Sequence, residues 1–207
     1  MKKIKYLVTA GTLLICAIGF SQERGLVLKI NYSVAVPTGS FKSDFIDKTS
    51  FNGFGAELMY HISNKFSAGL ETGSQHFYQK YPRQVYKTTD GSDLSAVVTN
   101  AVQTVPVLLK GQYNFLPGEM IQPFVAVVVG GNIISYNQYA GEFTSISKNG
   151  FGFAARPEAG LYIPFGRTSG AGFSIGAGYN FMPFNYNGIT NLNNVTARAG
   201  ISIPLNQ

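Results

Sequence analysis

The sequence predicts an all-β fold, a single eight-stranded antiparallel transmembrane β-barrel, and three observations carry that prediction. Residues 195–205 alternate strictly, with Val195, Ala197, Ala199, Ile201, Ile203 and Leu205 on one face and Thr196, Arg198, Gly200 and Ser202 on the other. Successive strand side chains point to opposite faces, so this segment is apolar on one side and polar on the other. Charged residues make up 13% of the chain, about half the roughly 25% of an average soluble domain. No apolar run after residue 22 approaches the ~20 residues a membrane helix requires. The alternating strand, closed on itself, is the remaining way to satisfy a backbone in lipid.

Residues 1–21 are expected to be a secretory leader. Lys2, Lys3 and Lys5 form a basic start, residues 6–20 an apolar stretch, and Gly19-Phe20-Ser21 a cleavage motif ahead of Gln22. Cys16, the single cysteine, lies in that stretch behind Ile15, which does not suit a lipidation box. The mature part, residues 22–207, is expected to be one cysteine-free domain. Without the three leader lysines, 13 basic residues face 10 acidic ones, a dispersed +3. That excess is too mild and too scattered for a nucleic-acid partner.

Period-2 segments between turn signals give eight strands, at residues 26–36, 51–62, 65–78, 97–115, 121–133, 150–163, 171–181 and 195–205. The fifth is apolar on both faces from Phe124 to Val129, so its register cannot be read. An even count suits an antiparallel barrel, and ~10 tilted residues reach the ~25 Å of an outer-membrane apolar band. The connections alternate. Residues 63–64, 116–120 and 164–170 make short turns; residues 37–50, 79–96, 134–149 and 182–193 make longer loops. Barrels in outer membranes keep short turns in the periplasm and long loops outside. Pro106 and Pro157 fall within strands, where bulges or local ladder defects are expected.

The polar face indicates which side meets lipid. It mixes glycines with Lys29, Glu57, Glu71, Lys110, Arg156, Glu158 and Arg198, four cations and three carboxylates. Small residues beside long ones suit the narrow interior of an eight-stranded barrel. Near-cancellation of charge is what a low-dielectric lumen demands, since an unpaired buried ion costs several kcal/mol. Aromatic residues also gather near both ends of the strands, as membrane-interface belts do. The apolar face is therefore expected to point outward, and the seven charges to form one lumen network.

At Val105-Pro106-Val107-Leu108-Leu109-Lys110, Tyr113-Asn114-Phe115, Gln122-Pro123-Phe124-Val125 and Val36-Pro37-Thr38-Gly39-Ser40-Phe41, the chain resembles the outer-membrane β-barrel domain family of Gram-negative bacteria, which includes the opacity-like and PorT-like barrels. The C-terminal pattern of Arg198, Gly200, Ile203 and Leu205 resembles the assembly signal of outer-membrane proteins, although the chain ends in Leu-Asn-Gln without an aromatic residue. The resemblance implies an outer-membrane location among lipid and lipopolysaccharide, and insertion by the barrel-assembly machinery. The family hosts many roles, so it implies no particular activity.

Candidate chemistry is sparse. The lumen charges could line a polar or proton pathway, but a salt-bridged plug is the favoured reading, because eight strands leave little room for water. Ser74 and His76, two apart on the lipid side of the third strand, resemble the exterior Ser and His of outer-membrane enzymes that remodel lipid A. A serine nucleophile needs a base and an acidic orienter, and no carboxylate is evident at that height; a polar interface pair is favoured. His61 is expected inside as a lumen filler. No metal or cofactor constellation stands out. The loop at residues 79–96 carries Lys80, Tyr81, Arg83, Tyr86 and Lys87, a mixed surface suited to a protein or glycan partner. The expected role is structural or interactive, as anchor, adhesin or envelope-complex subunit, ahead of a lipid-modifying enzyme and then a small-solute channel.

Overall fold

The computed structural model describes residues 25–87, 93–140, 143–166, 170–186 and 189–205; the expected leader lies outside them. In chain order the elements are β1 (Leu26–Pro37), α1 (Gly39–Asp44), β2 (Ser50–His61), β3 (Phe66–Lys80), β4 (Gln84–Lys87), β5 (Asp93–Ala96), β6 (Val98–Asn114), β7 (Gln122–Ala140), β8 (Phe143–Pro164), β9 (Gly172–Asn180), β10 (Pro183–Tyr186), β11 (Ile189–Asn191) and β12 (Asn194–Pro204). Eight of these strands close into one antiparallel barrel in the order β1-β12-β9-β8-β7-β6-β3-β2. The seam is a continuous β1–β12 ladder from Val27↔Pro204 to Pro37↔Asn194, so first and last strands share no free edge.

The alternation holds all the way round. Outward side chains such as Phe54 (65% exposed), Leu109 (62%) and Val127 (62%) form the exterior, while Lys110 (3%) and Arg156 (5%) point inward. An uncovered apolar exterior on a barrel with polar residues inside is the inverse of a soluble barrel, and it matches hydrocarbon as the surrounding solvent. The register of β7 is now explicit: Phe124, Ala126, Val128, Asn132, Ile134 and Tyr136 face inward, and Val125, Val127, Val129 and Ile133 outward.

Two expectations about connections are corrected. The expected loop at residues 134–149 is largely strand, because β7 and β8 continue as a paired ribbon up to Ala140↔Phe143, with one register shift between Gln138 and Tyr139. Ile134 and Tyr136 keep facing inward on it, so the period-2 pattern runs past the expected end of the strand. The loops at residues 79–96 and 182–193 are themselves hairpins, β4–β5 and β10–β11.

The prolines produce defects without bulges. Pro106 pairs with Asn132 on β7, but the β3–β6 ladder skips from Thr72↔Val107 to Gln75↔Thr104 across it. Pro157 pairs with Val127, while the β8–β9 ladder stops at Glu158↔Gly178 and resumes as a single Ala155↔Phe181 bridge. Each proline lacks an N–H, so one ladder opens beside it while the other holds the register.

Candidate functional site

The lumen has three layers, and the middle one is ionic. Its residues share one height because of cross-strand register: Glu57 lies opposite Glu71, and Val128 lies between Lys110 and Arg156. Lys110 Nζ lies 2.9 Å from Glu57 Oε2 and 3.0 Å from Glu158 Oε1. Arg156 Nη2 lies 2.6 Å from Glu71 Oε2 and 3.0 Å from Glu158 Oε2. Arg198 spans all three carboxylates, at 3.1 Å from Glu57, 3.1 Å from Glu71 and 3.2 Å from Glu158. Asn31 adds a 2.7 Å donation to Glu57 Oε1. The adjacent like charges Glu57 and Glu71 are tolerated because each touches two cations, so the layer is neutral as a unit. Glycines make room for it. A Cβ on Gly178 would lie 2.9 Å from Arg156 Cδ, and one on Gly55 would lie 3.1 Å from Arg198 Nη2.

Six of the seven expected charges form this layer; Lys29 does not join its ion pairs. Its Nζ donates to Gln112 Oε1 at 3.0 Å and lies 5.7 Å from the centre of the Phe124 ring. Cross-strand pairing puts Lys29 opposite Glu57, but Lys110 and Arg198 take that carboxylate.

Towards the loops a large apolar cluster fills much of the lumen, beside buried polar residues such as Asn100, Asn132 and Asn194, where the sequence predicts a polar interior. Phe77, Val102, Leu108, Ile134 and Tyr136 face inward from the strands, and Val128 joins the cluster from the height of the ionic layer. Phe41, Phe45 and Ile46 reach them from the α1 segment, and Met182, Ile189 and Leu192 from the segment around β10–β11. Phe41 meets Phe77 edge-on at 5.0 Å between ring centres, and Phe45 packs on Tyr136 at 5.2 Å. Phe41 and Phe45 are four apart in a short connection, a spacing that puts both on one face of a helical turn. That spacing was the available signal for a loop that folds inward.

Towards the short turns the lumen opens into a vestibule of about 860 Å³, lined by Lys29, His61, Gln112, Asn114, Tyr162 and Ser202 among others. His61 lies there as expected, its Nδ1 2.7 Å from Ser67 Oγ.

The remaining candidates separate. Lys80 and Arg83 are exposed, whereas the Tyr81 hydroxyl donates to Phe45 O at 2.6 Å and so ties the β3 end to the α1 segment. Tyr86 and Lys87 lie on β4, with side chains outside the described residues. Ser74 Oγ accepts from Gln103 Nε2 at 3.2 Å, and His76 stacks on Tyr78. Among the described residues neither bonds a carboxylate. Of the assembly-signal residues, Arg198 belongs to the ionic layer, while Ile203 and Leu205 are exposed outside. Gly200 has no room for a side chain, since a Cβ would fall 2.3 Å from Ile30 O.

A closed eight-stranded barrel with an apolar exterior and a charge-compensated interior defines an outer-membrane β-barrel protein. No protein-family model matches the sequence, and no curated protein does. Among solved structures, the chain is similar to Neisserial surface protein A (NspA), with 10% identity, a TM-score of 0.53, and 87% of this chain and 96% of that one covered. It is also similar to the outer membrane protein OprG from Pseudomonas aeruginosa, with 13% identity, a TM-score of 0.47, and 88% and 97% covered.

Proposed function

We propose that the protein is a closed barrel with a structural or interactive role, serving the cell envelope as anchor, adhesin or complex subunit through its loop face. The observation that carries this reading is the lumen itself. An apolar layer is stacked on a neutral ionic layer, so the path for solutes is filled twice over. On this reading residues 1–21 are an export signal, the short turns face the periplasm, the loops meet the outside, and the barrel-assembly machinery inserts the chain through the segment bearing Arg198, Gly200, Ile203 and Leu205. The exposed parts of the loop face, Lys80, Arg83 and Val85, offer basic and apolar surface to a protein or glycan.

Photo-crosslinking from Arg83 and Val85 in native membranes tests the role, with a discrete adduct expected. Uniform labelling of lipopolysaccharide alone would contradict it. Lipid A from a deletion strain is expected to be unchanged, because among the described residues Ser74 and His76 have no acidic orienter of the kind a serine nucleophile requires.

A further inference from the structure

The turn-side vestibule is a built polar pocket that a loop-face role does not use. Lys29 stands at its floor, three residues inside β1, or about 10 Å along the strand. It is 6% exposed, and among the described residues no carboxylate pairs with it. The ionic layer above is already balanced, three cations against three carboxylates, so Lys29 is a surplus buried charge. Directly across the β1–β12 ladder is Ser202, 1% exposed, whose hydroxyl has no hydrogen-bond partner. Gln112 donates to Asn114 Oδ1 at 2.7 Å, which turns its Oε1 to Lys29 and leaves the Asn114 amide donor without a partner among the described residues. Glu119 also lines the vestibule, but on the exposed turn and unpaired with Lys29. Val27, Met120 and Pro204 supply apolar wall.

We infer that this vestibule binds an amphipathic organic monocarboxylate head-first, with the carboxylate accepting from Lys29 and Ser202 and the apolar body against the wall. One buried cation flanked by neutral donors compensates one negative charge and not two. The volume of about 860 Å³ lies in the ~300–1,000 Å³ range of small-molecule sites.

The test uses the refolded full barrel in zwitterionic micelles, with benzoate as probe, followed by backbone amide shifts. Saturable shifts at Lys29, Gln112 and Ser202 are expected, with affinity at least tenfold weaker for benzamide and for Lys29→Gln, and about threefold weaker for Ser202→Ala. Inorganic phosphate is expected to bind more weakly than benzoate. Equal affinity for benzamide overturns the proposal, as do tighter binding of phosphate, an unaffected Lys29→Gln, or shifts confined to the lipid-facing exterior. Should Lys29→Gln fail the heat-modifiable gel shift that reports folding, Ser202→Ala and the benzamide comparison decide.

Discussion

The two ends of the lumen are built in opposite ways from the same alternating strands. At the loop end, inward positions carry Phe77, Val102, Ile134 and Tyr136, and two connections send Phe41, Phe45, Met182 and Leu192 down to meet them. At the turn end, inward positions carry Lys29, His61, Gln112, Asn114 and Ser202, and the shorter connections add only lining residues such as Glu119, Met120 and Phe165 without filling the space. Connection length therefore separates a packed mouth from an open one. The ionic layer between them must be self-sufficient, because it receives water from one side only. Among its residues every charge answers another; Lys29, one layer below, makes no ion pair with a carboxylate among the described residues.

Substitutions that exploit this contrast should differ in size and in sign. Arg156→Ala strands Glu71 and Glu158 in the ionic layer and should cost about 4 kcal/mol, in the range for breaking a buried pair; urea unfolding in lipid vesicles measures it. Phe77→Ala, in the apolar layer, should cost about 3 kcal/mol through lost packing and the cavity left behind, and should also loosen the α1 segment in hydrogen exchange. On the exterior, Val127→Arg, beside the height of the ionic layer, should cost about 2–4 kcal/mol in lipid, whereas a solvent-facing site would be indifferent. Lys29→Met should reverse the sign and raise stability by about 1 kcal/mol, since it removes a buried charge that no carboxylate among the described residues pairs with, a gain reduced by the lost hydrogen bond to Gln112. A Lys29→Met loss as large as that of Arg156→Ala would place Lys29 within the ionic network after all.

The parts of this molecule differ in how far they were legible beforehand. Strands with one greasy and one polar face, such as β1 and β12, were legible because a one-residue slip would move every side chain to the wrong solvent. The same parity put Glu57, Glu71, Lys110, Arg156, Glu158 and Arg198 on one inner surface, where they meet. It could not show that Lys29 stops short, since that depends on which of several cations reaches Glu57 first. The register of β7 was hidden because Phe124, Ala126 and Val128 face a lumen that is itself partly apolar. The apolar layer is hidden for a related reason: Phe77 shares the inward face of Glu71 and Gln75, so by parity alone it reads as one apolar residue on a polar face. Tyr81 reads as loop surface until its hydroxyl is found on Phe45 O.

The claim on which the role rests is that stacked apolar and ionic layers seal the barrel. Single-channel recording of the refolded wild-type protein in planar bilayers tests it most directly. No steady current is predicted at any holding voltage the bilayer withstands; a stable, ohmic conductance would show a continuous water path and contradict the account.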